Sequence, residues 1–123
     1  MLERQELRRM ADIGWLATQR GMLPQALRIF SALELARPDS AAGFIGLAMA
    51  HVRARSLDEA LGAIDRGLRS VEPSQHPELH AFRGLVLKLA GRGSECEKAL
   101  RQAGELPLAR VLLAQEPALQ KVV

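Results

Sequence analysis

The tightest constraint on the fold of this 123-residue chain is an internal repeat. Three segments line up: ADIGWLATQRGMLPQALRIFSAL from Ala11, IGLAMAHVRARSLDEALGAIDRGL from Ile45 and AFRGLVLKLAGRGSECEKALRQAG from Ala81. In that register Gly14 falls on Ala48 and Gly84, and Gly21 falls on Arg55 and Gly91. Ala26 falls on Ala60 and Cys96, and Phe30 on Ile64 and Leu100. The spacing is 34 residues and then 36, and the extra two fall in the Glu72–Pro77 connection, where lengthening costs little. A period in this range marks stacked supersecondary units, each unable to bury its apolar face alone. Small residues at the first set of positions suit two helices approaching closely, and the second set marks the turn between them.

Composition agrees with helices. The chain is 48% apolar, yet it has one Trp, three Phe and no Tyr, so Leu, Ala, Ile, Val and Met must build the core. Ala and Leu are strong helix formers. The length suits one domain with a modest core. Helices are expected over 3–20, 23–36, 40–54, 57–70, 76–90 and 93–104, with a short seventh over 107–115. Pro24 sits near a helix start, where its missing N–H does no harm. Pro38-Asp39-Ser40 ends one helix and caps the next, and Ser56 can cap the helix carrying Asp58 and Glu59 in its first turn. Pro73 and Pro77 bracket the last inter-repeat turn, and Pro107 and Pro117 delimit the seventh helix.

These positions resemble the tetratricopeptide repeat (TPR), a helix–turn–helix unit of about 34 residues. The first repeat matches the family pattern at Ile13-Gly14, Gly21, Ala26, Phe30 and Pro38. The second matches at Phe44, Leu47-Ala48, Ala60 and Ile64, with Pro73 one residue late. The third is the most degenerate, matching at Gly84, Gly91, Cys96 and Leu100, with His80 where a bulky apolar residue is usual. The resemblance covers about Leu7 to Leu106. It implies an all-α fold of three TPR hairpins in a short right-handed solenoid, plus a short C-terminal helix. The implied organisation is a single domain over 1–115, with repeats at about 7–40, 41–76 and 77–106, the short helix 107–115, and a tail at 116–123.

Family geometry points the second, fifth, ninth, twelfth and thirteenth residues of each repeat into a concave face. The first repeat would contribute Arg8, Ala11, Trp15, Thr18 and Gln19. The second would contribute Ala42, Ile45, Met49, Val52 and Arg53, and the third Glu78, Ala81, Leu85, Lys88 and Leu89. The middle of that face is apolar, and Arg8, Arg53 and Lys88 lie at its edges. An apolar groove with a basic rim fits an amphipathic helix bearing a few acidic residues. Trp15 is the natural anchor and Met49 a deformable contact. Cover by the chain's own tail or seventh helix, or self-association as a homodimer, is the competing reading. A clamp for a terminal carboxylate is not expected, because Ala, Ile, Met and Leu stand where Lys and Asn would be needed.

A narrower resemblance concerns RPDSAAGFIGLAMA, LHAFRGLVLKLAGR and ADIGWLATQRG. In size and plan the chain is similar to cytoplasmic TPR chaperones of bacterial type III secretion systems, the needle-subunit chaperones in particular. That resemblance implies a client, the amphipathic C-terminal helix of a needle subunit held in the groove until export, and a small helical co-chaperone beside it. The larger translocator chaperones of the same systems, and the chaperones of export-apparatus substrates, stay open as alternatives. The alternative is a self-associating TPR scaffold or adaptor with no secretion client.

Other classes fit poorly. The net charge of +3 arises from basic residues interleaved with acids, as in Arg53–Arg55 before Asp58–Glu59. A nucleic-acid surface would concentrate that charge on one face, with aromatics for stacking. Neither nucleic acid nor membrane is an expected partner, since no apolar run approaches the roughly 20 residues of a span. The charged N-terminus lacks a signal-peptide pattern, and the lone Cys96 allows no intrachain disulfide, so the expected compartment is the cytoplasm. His76 and His80 have the spacing of two metal ligands, but Pro77 lies between them and no short-range Asp, Glu or Cys completes a site. Cys96 and His51 read as packing residues. Gly91-Arg92-Gly93 is a turn between helices, and no phosphate loop or nucleophile elbow is present. No catalytic residues, metal or cofactor are expected.

Overall fold

The structure, a computed structural model, describes residues 3–107, 109 and 110. It contains six α-helices: α1 (Arg4–Gln19), α2 (Leu23–Ala36), α3 (Ala41–Arg53), α4 (Leu57–Ser70), α5 (His76–Leu89) and α6 (Gly93–Ala103). A single 3₁₀ turn over Pro73–Gln75 precedes α5. All the described secondary structure is helical, and the helix ends agree with the proline, glycine and serine signals to within one residue. Residues 107, 109 and 110 are helical, with the Arg110 N–H donating to the Leu106 carbonyl at 3.1 Å. The rest of the expected seventh helix, and the 116–123 tail, lie outside the described residues. The chain divides into two compact units, Met1–Val71 and Glu72–Val123. The division falls at the connection that carries the two extra residues of the repeat.

Each of the three hairpins turns in the same way. Gly21, Arg55 and Gly91 all adopt positive φ, at 74°, 62° and 74°. The residue after each donates its N–H five residues back: Met22 to Ala17, Ser56 to His51 and Arg92 to Leu87, at 2.8, 2.8 and 2.9 Å. This is the six-to-one bond of a Schellman helix end, in which a left-handed residue reverses the chain and satisfies carbonyls of the last turn. The next helix starts at once, with Ala26, Ala60 and Cys96 donating back to Met22, Ser56 and Arg92. That geometry overrides the expected role of Ser56. Its hydroxyl makes no capping bond, because the turn gives it φ −99° and ψ 72°, much as Met22 and Arg92 have in their hairpins. Ser40, outside such a turn, does cap α3, accepting from the Ala42 N–H at 3.3 Å.

The first unit is built around Phe30. Its ring is fully buried against the backbone of Gly14 on α1 and of Gly46 on α3, and meets the edge of Trp15 with centroids 5.4 Å apart. A Cβ at Gly14 would lie 2.7 Å from the ring, and one at Gly46 would overlap it. A Cβ at Gly43 would come within 2.7 Å of the Glu34 amide nitrogen, so α2 and α3 approach almost backbone to backbone. Helix α3 packs on α1, α2 and α4, so nearly all its residues from Ala41 to Ala50 are buried. An ion pair from Arg66 to Glu34 at 3.2 Å ties α4 to α2.

The second unit repeats the first hairpin's contact with a different residue. A Cβ at Gly84 on α5 would lie 2.5 Å from the fully buried Leu100 on α6. Gly84 and Leu100 are the alignment partners of Gly14 and Phe30. Cys96 and Ala99 are buried beside Leu100 on α6, and Leu79, Val86 and Leu87 on α5 complete the interior.

Candidate functional site

Helix α1 carries Arg8, Ala11, Trp15 and Gln19 at spacings of three and four, so they share one face. Arg8 and Gln19 are exposed, while Ala11 and Trp15 are half-buried. Helix α3, which packs on α1, carries Ile45, Met49, Val52 and Arg53. Met49 and Val52 are half-buried and Arg53 is exposed, but Ile45 is only 4% exposed. In this unit Trp15, Met49, Val52 and Arg53 therefore offer surface, and Ile45 shapes the face from beneath.

Two of these residues also serve the fold. Trp15 leans its ring edge on Phe30 at an interplanar angle of 69°, which holds the indole in place and leaves the rest of it on the surface. Arg53 reaches across to the end of α1, its guanidinium donating to the carbonyls of Thr18 at 3.4 Å and Gln19 at 3.5 Å. A cation there meets the negative end of the helix dipole. Thr18 is buried and spends its hydroxyl on the Gly14 carbonyl at 2.9 Å, so it presents nothing to a partner.

In the second unit, α5 carries Leu85, Lys88 and Leu89 on one face. Leu89 is 55% exposed, and Leu85 and Lys88 are half-buried. Ala81, on the same helix face, is fully buried.

Exposed apolar surface also lies where the repeat pattern did not direct attention. Ile13, Leu16 and Met22 are exposed on the flank of the first hairpin, where a depression of about 370 Å³ runs between α1 and α2.

Burial reaches the titratable side chains of His51, His80 and Cys96. His51 and His80 both sit below the ordinary imidazole range, in each case chiefly because burial penalises the charged ring. The Nδ1 of His80 is buried without a hydrogen-bond partner among the described residues, and its ring meets His76 edge-on with centroids 6.3 Å apart. Cys96 is fully buried, a small apolar filler at its repeat position. Among the described residues no three His, Cys, Asp or Glu side chains gather as metal ligands. No helix among them is long and apolar enough to cross a membrane.

Comparison with known proteins places the fold. No protein-family model matches the chain, and no curated protein matches its sequence. Solved structures do match over nearly its whole length. PcrH, solved in complex with the chaperone binding region of PopB, aligns with a TM-score of 0.67 and 21% identity, over 98% of this chain and 91% of PcrH. The type III secretion translocator chaperone SycD of Yersinia enterocolitica aligns with a TM-score of 0.66 and 20% identity, over 99% of this chain and 79% of SycD. SycD in complex with a peptide of the translocator YopD gives a TM-score of 0.66 over 98% and 86%. The chain thus has the TPR-like helical fold of type III secretion translocator chaperones.

Proposed function

We propose that this chain is a type III secretion chaperone that holds an amphipathic helix of a secreted subunit and keeps it from assembling before export. The observation that carries the reading is the fold. It matches, over 98% of this chain, chaperones solved with segments of their clients. Fold alone does not assign function, so the site must supply the rest of the case. The α1–α3 face supports it, since Trp15, Met49 and Val52 form an apolar surface with Arg8 and Arg53 at its margin. Leu85 and Leu89, with Lys88 beside them, give α5 the same character. Such surfaces suit an apolar helix face edged by carboxylates. Met49 can remould to its client, and the preset indole of Trp15 loses little entropy on contact.

Within this reading, a needle subunit in the cytoplasm is the client we favour, on the size and plan of the chain; a translocator segment is the other. The chain should be co-expressed with a needle subunit and, separately, with a translocator from one secretion system. Size-exclusion chromatography should give a stable heterocomplex with the needle subunit. Met49→Glu and Trp15→Ala should dissolve it. A complex with the translocator alone would redirect the client assignment. A homodimer that ignores both clients would favour the scaffold reading.

A further inference from the structure

Two of the chain's three histidines meet at the start of α5, and the fold settles what their spacing leaves open. Pro77 stands between His76 and His80, yet it lies in the first turn of α5, where a proline fits. Both histidines therefore belong to one helix, His76–Leu89. Residues four apart on a helix share a face, with Cβ atoms about 5–6 Å from each other. Here both side chains are half-buried, and the rings meet with centroids 6.3 Å apart and planes at 89°.

That pair is one ring rotation short of a chelate. An ion held by both imidazoles at about 2.0–2.1 Å would draw the centroids to about 5 Å. In the edge-on contact the two lone pairs do not converge, so one ring must turn about χ2. That torsion is soft. For His80 the turn breaks no hydrogen bond at Nδ1, which is buried without a partner. A buried nitrogen left in that state is costly, and an ion bound after the turn gives it a partner.

The surroundings suit such an ion. Helix α5 starts without a side-chain cap, so a bridge from His76 to His80 would tie a first turn that no cap holds. The positive end of the helix dipole opposes a cation there, but Glu78 lies in the same turn. With Glu72 just before the helix and Arg83 after the pair, two carboxylates stand against one guanidinium. No three His, Cys, Asp or Glu side chains gather among the described residues, so water would complete the coordination. Two imidazoles favour Zn²⁺, Ni²⁺ or Cu²⁺ over Mg²⁺ and Ca²⁺, which take oxygen ligands.

We infer that His76 and His80 form a two-imidazole site for a divalent transition-metal ion, completed by water, that braces the first turn of α5. Neither residue belongs to the proposed client face, so the site stands apart from client binding.

The test uses the full chain without an affinity tag, stripped with EDTA and titrated with Zn²⁺ by calorimetry. One ion per chain should bind, and the thermal midpoint should rise with Zn²⁺ and return on adding EDTA. His76→Ala and His80→Ala should each weaken binding by about tenfold or more, with His76→Asn and His80→Gln as milder versions. His51→Gln, on α3, should leave binding unchanged. Zinc-edge X-ray absorption on the wild-type protein reads the ligands without any variant, and should show two imidazoles with oxygen neighbours. No saturable binding, an unmoved thermal midpoint at saturation, or loss through His51→Gln would overturn the inference. So would a shell containing sulfur or fewer than two imidazoles. Four imidazoles in a dimer would place the ion between copies, with the same consequence.

Discussion

The ring of Phe30 on α2 fills the space that a side chain at Gly46 on α3 would occupy. Because Phe30 is fully buried, nothing nearby is free to yield to an added methyl. Gly46→Ala should therefore destabilise the protein by about 1–3 kcal/mol through overpacking. Phe30→Ala should cost about 3–5 kcal/mol by leaving a cavity. Combined with Phe30→Leu, Gly46→Ala should lose less than the two single costs added together, because the smaller side chain makes room. Urea denaturation of the four proteins measures this coupling. Strict additivity would mean the two positions do not compete for space.

Arg55 holds the same left-handed turn that glycine supplies in the other two hairpins, at φ 62° against 74°. A side chain in that region is strained by about 1–2 kcal/mol. Glycine relieves the strain but adds freedom to the unfolded chain. Arg55→Gly should raise stability by about 0.5–1 kcal/mol on balance. Gly21→Ala and Gly91→Ala should each lower it by about 1 kcal/mol, although an added Cβ at either would meet no neighbour. Thermal melts that rank Arg55→Gly below the parent would mean that the Arg55 side chain contributes more than its backbone costs.

Much of the scaffold was legible because it depends on residues whose chemistry leaves few options. Glycine at 21 and 91 announced the turns, and the repeat register carried the inference to Arg55, which alone would not have suggested one. Gly14 with Phe30 and Gly84 with Leu100 were legible as pairs, since a small residue must face a large one where helices touch. The Ser56 cap was not, because a serine ahead of an acidic first turn reads the same whether the preceding turn is open or a tight Schellman end. Surface was the hardest part to read. A repeat offset says which way Ile45 and Ala81 point, but their burial depends on neighbouring helices. For the same reason the flank of Ile13 and Leu16 is not legible: the pattern gives Ile13 only as a match in the repeat, and its 57% exposure depends on what packs over it.

Burial holds the imidazoles of His51 and His80 below their ordinary range, so the folded protein resists protonating them. The unfolded chain binds those protons more readily. Their contribution is thus complete above the unfolded pKa of about 6.5 and is lost as the pH falls below it toward the folded values. The urea midpoint should be flat from about pH 8 to 7 and decline toward about pH 5.5. A His51→Gln, His80→Gln double variant should flatten that decline. At lower pH the exposed Asp39 and Glu95 carboxylates, held down chiefly by hydrogen bonds from Arg37 and Arg92, add a separate loss. An unchanged slope between pH 7 and about 5.5 in the double variant would assign the effect to other groups.

Arg53 stands at the margin of the proposed client face, yet its guanidinium is engaged with the last carbonyls of α1. The distances of 3.4 and 3.5 Å and the exposure of the side chain make this a weak tie, worth about 0.3–1 kcal/mol as a cation at a helix end. Arg53→Ala should lower stability by that small amount, with the difference shrinking in high salt. An exposed charge that also steers a carboxylate-bearing client should act mainly on association. With the chain's single Trp as reporter, stopped-flow mixing with a client should show slower binding to Arg53→Ala at low salt and little change in dissociation. A faster dissociation with unaltered association would instead place Arg53 in direct, desolvated contact with the client. Arg53→Lys separates the contributions further, since it keeps the charge for steering but loses the planar fork that spans two carbonyls.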